Sequence, residues 1–152
     1  MERGNSVTRI AARAVLITLL VAAKPLWAAE QLVLIVSADS KIEQLDSREV
    51  RKLFLGLTVT QHGDRLRPVL NEADPRVKEI FLQNVVSMSD TTYDRSVLRL
   101  ALIQGQAKPN AYKDISQLLK SVIADPTAVS YAWAKDVAHE PRIKVLRVIW
   151  YD

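Results

Sequence analysis

Strand-forming and helix-forming segments alternate along residues 29–152, and their order is the feature that most constrains the fold. The short apolar, β-branched run Gln31–Val36 is typical of a strand that is buried in a sheet. The segments after it predict, in order, a helix, a strand, three helices and two further strands. This order predicts a single α/β domain, a three-layer sandwich around a small mixed sheet.

Each predicted helix begins after a residue that can cap it. Asp46, with a glutamate three residues later, forms a capping box that predicts the helix Ser47–Leu55. Asp74 precedes Pro75 at the first helical position, and this pair predicts a helix that runs to about Val86. The other predicted elements are a loop over Thr58–Asp64, strands at Arg65–Leu70, Val129–Trp133 and Ile143–Ile149, and helices that begin at Ser89 or Asp90 and at Asp114.

Residues 1–28 have the three parts of a secretory signal peptide: a basic stretch, the apolar run Ala14–Ala23, and a short segment that ends in Ala28. As a helix the apolar run would span about 15 Å, roughly half of the hydrocarbon core of a bilayer. The pattern therefore favours a cleaved signal peptide over an uncleaved N-terminal anchor, which is the alternative. We expect export to the periplasm, with residues 29–152 as the mature domain.

The charge balance argues against a polyanion as the partner. The chain has 21 basic and 17 acidic residues, but four of the basic residues and one of the acidic residues lie in the predicted signal peptide. The remaining chain is almost neutral and has no strong positive field, so nucleic-acid binding is not expected. The chain has no cysteine, which excludes a disulfide scaffold, a thiol nucleophile and a cysteine-ligated metal.

The sequence contains no pattern that is typical of an enzyme. His62 and His139 lie in separate predicted loops, without the close helical spacing of a zinc site. The chain also has no nucleophile elbow and no glycine-rich phosphate loop. We therefore expect a protein without catalytic residues, metal or cofactor.

One segment does favour binding: residues 71–76 join a predicted strand to a helix start. Free backbone N–H groups and the helix dipole can hold a small oxyanion there, and Arg76 can add charge-assisted hydrogen bonds. Ser37 follows the first strand and is expected at the same end of the sheet. The predicted ligand-binding residues are Ser37, Asn71, Asp74 and Arg76. In the alternative, Asp74 only caps its own helix, and the adjacent proline removes one N–H.

Two aromatic residues, Tyr131 and Trp133, lie two positions apart on a predicted strand and so face the same side of the sheet. Aromatic residues on strands mostly bury surface area, so we expect both to pack in the core. Stacking on a ligand is the alternative.

The segment Ser47–Gly56, with Leu-Phe-Leu-Gly at its end, resembles the corresponding helix of the phosphate-specific periplasmic solute-binding proteins. The similarity continues in the same order over nearly the whole mature chain. The further matching blocks are Gly63-Asp64-Arg65, Pro68-Val69, Arg76 with Phe81, Gly105 with Pro109, and Pro126–Tyr131.

The resemblance implies a lobe of a type 2 periplasmic binding protein, secretion, and descent from proteins that deliver phosphate to an ATP-driven importer. Family members clamp phosphate between two lobes, whereas this chain matches one. The segment Glu72–Pro75 also stands where the family has an arginine and a Ser-Gly-Thr type of turn.

Two functional hypotheses follow. In the first, the protein is an exported, non-enzymatic solute-binding-protein-like domain that binds phosphate or another small oxyanion. In the second, it has lost ligand binding and is an interaction or sensory module of the cell envelope. It would then contact a membrane transporter, a sensor protein or a second copy of itself.

Overall fold

The computed structural model describes residues 30–105 and 107–152, so the predicted signal peptide lies outside the described residues. The strands are β1 (Gln31–Ser37), β2 (Thr60–Gln61), β3 (Asp64–Arg65), β4 (Arg67–Asn71), β5 (Asn110–Tyr112), β6 (Ala128–Trp133) and β7 (Ile143–Tyr151). The helices are α1 (Ser47–Phe54), α2 (Pro75–Phe81), α3 (Asp90–Gln104), α4 (Ile115–Ala124) and α5 (Ala134–Val137), and a π-helical turn over Leu82–Val86 extends α2.

Five strands form one mixed sheet in the order β5-β4-β6-β1-β7. Strand β4 is parallel to β5 and β6, whereas β1 is antiparallel to both of its neighbours, β6 and β7. The carboxyl ends of β4, β5, β6 and β7 therefore meet the start of β1 at one end of the sheet. We call this the carboxyl end of the sheet.

Strands β2 and β3 form a separate two-stranded hairpin. His62 and Gly63 connect them, and both have positive φ angles, 51° and 86°. Two consecutive residues with positive φ are typical of a tight hairpin turn, in which glycine is readily accommodated. The sequence predicts a loop over Thr58–Asp64, and the structure places this short hairpin there.

Helices cover both faces of the sheet, because β1 carries apolar side chains on both sides. Leu32, Leu34 and Val36 face the larger core, which α1, α2 and α3 complete. Val33 and Ile35 face the other side, where α4 and α5 pack. The predicted three-layer α/β sandwich with a mixed sheet is confirmed.

A cluster of aromatic rings forms the centre of the larger core. The ring of Phe81 stacks on that of Tyr131 with centroids 3.7 Å apart, and Phe54 packs edge-on against Phe81 at 4.6 Å. Tyr93 is fully buried, and its hydroxyl donates to the carbonyl oxygen of Phe54 at 2.7 Å. These contacts fix the first three helices against β6, and they confirm the predicted core position of Tyr131.

The predicted capping residues occupy the helix starts. Asp46 forms the predicted capping box, and Asp74 caps α2 with Pro75 in its first turn. Ser89 caps α3, and Asp114 caps α4. No helix in the described ranges is long and apolar enough to cross a bilayer.

Candidate functional site

The segment Asn71–Arg76 leaves β4 at the carboxyl end of the sheet and enters α2. Strands β4 and β6 are parallel, so the end of β6, with Trp133, lies beside this segment. The two ends of the described chain also meet here, since the backbone N–H of Asp152 donates to the carbonyl oxygen of Glu30 at 3.1 Å. Three of the four predicted site residues, Asn71, Asp74 and Arg76, are therefore brought together.

Ser37 does not join them. Because β1 runs antiparallel to β6, Ser37 lies at the opposite end of the sheet, where it pairs with Ile143 at the start of β7. Its hydroxyl donates to the carbonyl oxygen of Ile123 at 3.4 Å and accepts from the backbone N–H of Asp39. The prediction that Ser37 shares an end of the sheet with Asn71 is wrong, because the order of elements along the chain does not fix the direction of a strand.

Asn71 uses both ends of its amide inside the protein. It is buried, its Nδ2 donates to the carbonyl oxygen of Tyr131 at 3.0 Å, and its Oδ1 accepts from the backbone N–H of Ala73 at 3.0 Å. The first bond ties β4 to β6, and the second shapes the turn into α2. The role that this geometry gives Asn71 is to fix the turn.

Asp74 is held from two sides. Its Oδ1 accepts from the backbone N–H of Arg76 at 2.8 Å, and its Oδ2 accepts from the indole N–H of Trp133 at 2.9 Å. The bond from Trp133, followed by the backbone bonds, outweighs burial and lowers the pKa of Asp74. The carboxylate thus occupies the position at the helix start that a bound anion would take.

The guanidinium of Arg76 is also engaged. It pairs with Glu30 at 2.9 Å and lies 3.8 Å from the carboxylate of Asp152. Its Cζ lies 5.7 Å from the centroid of the Trp133 ring, and the Nζ of Lys135 lies 5.8 Å from the same centroid. Lys135 pairs with the second carboxylate oxygen of Glu30 at 3.0 Å, so Glu30 joins the two cations beside the indole.

Next to this cluster, Lys78 joins Glu72 at 3.0 Å to Asp90 at 2.8 Å. Burial is the largest single effect on the pKa of Lys78 and lowers it, but the hydrogen bonds and charges of Asp90 and Glu72 together outweigh burial and raise the pKa. Lys78 therefore stays protonated and links the turn before α2 to the start of α3.

Around the start of α2, carboxylates outnumber cations. Three cations, Arg76, Lys78 and Lys135, face five carboxylates, those of Glu30, Glu72, Asp74, Asp90 and Asp152. A phosphate placed here would meet repulsion from these carboxylates and would have to displace at least one of them from its partner. The arrangement thus consists of two groups of ion pairs on either side of the capped helix start. Asp74 caps its own helix, as the alternative interpretation of the sequence states.

The sequence does not predict the roles of two residues at this helix start. It predicts that Trp133 packs in the core, with ligand stacking as the alternative; Trp133 does pack against Trp150 with centroids 6.0 Å apart, but its indole N–H also fixes Asp74. No local sequence pattern marks Glu30 as a site residue, because its partners Arg76 and Lys135 lie 46 and 105 positions further along the chain. Within the described ranges, no group of three or more histidine, aspartate or glutamate residues is arranged to hold a metal ion.

Comparison with known proteins identifies the fold. No family model and no curated protein sequence matches the chain. Solved structures do match, and three of them illustrate the similarity. The first is an ABC-type phosphate transport receptor of Vibrio cholerae, with 14% identity and a TM-score of 0.57. The second, from Clostridium perfringens, is described as a phosphate ABC transporter substrate-binding protein with bound phosphate, and has 10% identity and a TM-score of 0.60. The third is PstS of Borrelia burgdorferi, with 11% identity and a TM-score of 0.54.

The chain corresponds to less than half of each of these proteins. The matches cover 78–79% of this chain but only 46%, 45% and 47% of the three structures, in the same order. This coverage is that of one lobe of a two-lobe binding protein. The expected resemblance to a single lobe of a type 2 periplasmic binding protein is confirmed for the fold.

Proposed function

We propose that the chain is an exported, non-enzymatic, single-lobe module of the solute-binding-protein type that recognises another protein in the periplasm. The fold supports the solute-binding-protein origin, and the leader pattern in residues 1–28 supports export. A membrane transporter or a membrane-bound sensor is the kind of partner that suits such a module.

The observation that carries the proposal is the double hydrogen bonding of the Asp74 carboxylate by Arg76 and Trp133. A helix start binds an anion through backbone N–H groups that have no other acceptor. Here the carboxylate takes the N–H of Arg76, and Pro75 has no N–H to offer. The side chain of Arg76 is likewise held by Glu30. Recognition of a protein through this lobe requires none of these contacts to break.

Thermal unfolding with and without millimolar phosphate or sulfate tests the proposal. A ligand at about 100 times its dissociation constant would stabilise the folded chain by about 2.7 kcal/mol. We expect no shift beyond that given by an equal ionic strength of sodium chloride. A saturable, anion-specific shift that Arg76→Ala removes and Asp114→Ala keeps would contradict the proposal.

Oxyanion binding at the same place is the second candidate function. It is favoured by the accessibility of Arg76, whose side chain is 56% exposed, and by the fold shared with phosphate-transport proteins. In this case Glu30 competes with the anion for the guanidinium. Glu30→Gln would therefore raise the phosphate affinity, whereas the interaction module predicts no phosphate binding by either form.

Export is tested separately, by producing the complete chain in a Gram-negative host and sequencing the N-terminus of the periplasmic product. We expect cleavage after Ala28 or within one residue of it. Retention of the leader on a membrane-bound product would support the uncleaved anchor instead.

A further inference from the structure

The C-terminal half of α3 is poorly covered by the rest of the protein. The buried residues of this helix are Tyr93 and Val97, and none of its described residues after Val97 is buried. Leu98, Leu102 and Ile103 are 46%, 78% and 68% exposed. Three large aliphatic side chains on the outside of one helix end form an apolar patch, and such patches mark interaction surfaces. Gly105, with a φ of 64°, ends the helix directly after them.

Arginine residues lie among these aliphatic side chains. At 100° per residue, the patch and its arginines fall within an arc of about 140° on the helix surface. In order around that arc, they are Leu98, Leu102, Arg95, Arg99 and Ile103. Arg95 and Arg99 are exposed, and neither forms an ion pair with another described residue.

The positive charge continues beyond the helix. Between Asp94 and Asp114 the chain carries four cations and no acidic residue; the cations are Arg95, Arg99, Lys108 and Lys113. In a mature chain whose net charge is close to zero, this is a local concentration of positive charge. It attracts a negatively charged surface.

We propose that this patch, residues 95–105 of α3 and its C-terminal end, docks on the surface of a bilayer that contains anionic phospholipids. At a membrane surface, exposed aliphatic side chains enter the headgroup boundary, and the long side chains of neighbouring arginines let their guanidinium groups reach the anionic headgroups. The proposal goes beyond the proposed function and does not depend on whether the carboxyl end of the sheet binds an anion.

A second copy of the chain is a poorer occupant. Self-association through this patch would bring Arg95 and Arg99 of one copy close to those of the other, without an acidic residue in the patch to separate them. A lipid surface instead offers negative headgroups for the arginines and an apolar layer for Leu102 and Ile103. The bilayer therefore accounts for both components of the patch.

Co-sedimentation with lipid vesicles tests the proposal. The protein is isolated from cells that express residues 1–152. Vesicles of phosphatidylcholine with roughly 30% phosphatidylglycerol supply the negative surface, and pure phosphatidylcholine vesicles are the neutral comparison. We expect binding to the anionic vesicles that weakens as salt is added, and weaker binding to the neutral ones. Absence of binding to the anionic vesicles would overturn the proposal.

Two variants separate the contributions. Replacing both arginines, Arg95→Gln with Arg99→Gln, should lower the partition coefficient on anionic vesicles roughly thirty-fold, at about fivefold for each cation. Leu102→Asn with Ile103→Asn should lower it on both kinds of vesicle. All four side chains are exposed, so the variants should keep the circular dichroism spectrum and unfolding midpoint of the wild type.

The matched control is Val145→Asn with Val148→Asn. These β7 residues are also half-exposed and apolar, but they pair with Ile35 and Val33 and so lie on the sheet face opposite to α3. This variant should bind vesicles as the wild type does.

Equal binding by all variants would overturn the proposal. So would self-association in sedimentation velocity that Leu102→Asn abolishes while protein-free vesicles bind nothing, because the patch would then meet a second copy.

Loss of the arginines could also affect binding to a protein in the membrane. If the protein bound native membranes but not protein-free anionic vesicles, and Arg95→Gln with Arg99→Gln removed that binding, the occupant would be an acidic protein surface and the lipid proposal would be wrong.

Discussion

Replacement of Asp74 by alanine tests how much the two hydrogen bonds to its carboxylate stabilise the domain. The change removes the cap of α2, which costs about 1 kcal/mol. It also leaves the indole N–H of Trp133 without its acceptor, and Trp133 is only 4% exposed. An unsatisfied buried donor costs about 1–3 kcal/mol, so we expect a loss of about 3 kcal/mol in the free energy of unfolding.

The assay is urea unfolding of each variant at pH 7, followed by circular dichroism at a helix-sensitive wavelength. Asp114→Ala is the matched control, because Asp114 also caps a helix, through the N–H of Gln117, but accepts from neither of the described tryptophans, Trp133 and Trp150. It should cost about 1 kcal/mol. Asp74→Asn retains one acceptor oxygen, which can keep the cap on the N–H of Arg76 but leaves the indole N–H of Trp133 facing the amide NH2, so it should cost less than alanine but more than Asp114→Ala. An equal loss for Asp74→Ala and Asp114→Ala would refute the reasoning, because the bond from Trp133 would then contribute nothing.

Two further predictions concern pH and the aromatic core. Because the pKa of Asp74 is lowered in the folded state, its contribution is complete above the ordinary carboxyl pKa of about 3.9 and is lost as the pH falls through the folded-state value. The stability difference between wild type and Asp74→Ala should therefore narrow in urea titrations below about pH 4, and a constant difference would contradict this cause. Tyr93→Phe removes the hydroxyl that donates to the carbonyl oxygen of Phe54. It should lower the free energy of unfolding by about 1–2 kcal/mol. Replacement of the exposed Tyr151 by phenylalanine is the control and should leave the stability unchanged.

The elements that sequence predicted well are those specified by neighbouring residues. The capping box at Asp46 and the Asp74-Pro75 pair fix the starts of α1 and α2 locally, and both starts are where the sequence places them. The missed elements depend on distant parts of the chain. Strand β5 has only three residues and exists because it pairs with β4 some 40 positions earlier. Helix α5 has four residues, too few for a helical period to be visible.

The same distinction between local and distant contacts applies to the candidate site. The strand-to-helix segment carried its own signal, and Asn71, Asp74 and Arg76 do lie together. Ser37 was misplaced because strand direction is decided by pairing across the sheet. The hydrogen bond from Trp133 to Asp74 joins residues 59 positions apart, and it arises only once β4 and β6 lie parallel.

The most direct measurement is a phosphate titration followed by proton–nitrogen correlation spectra of the nitrogen-15-labelled protein. The backbone N–H of Arg76 and the indole N–H of Trp133 are the probes, because both donate to the carboxylate of Asp74. If this carboxylate already occupies the helix start, neither signal will move beyond the effect of matched ionic strength. Saturable movement of both signals at millimolar phosphate would contradict the account, since it would show that an anion reaches the donors held by Asp74.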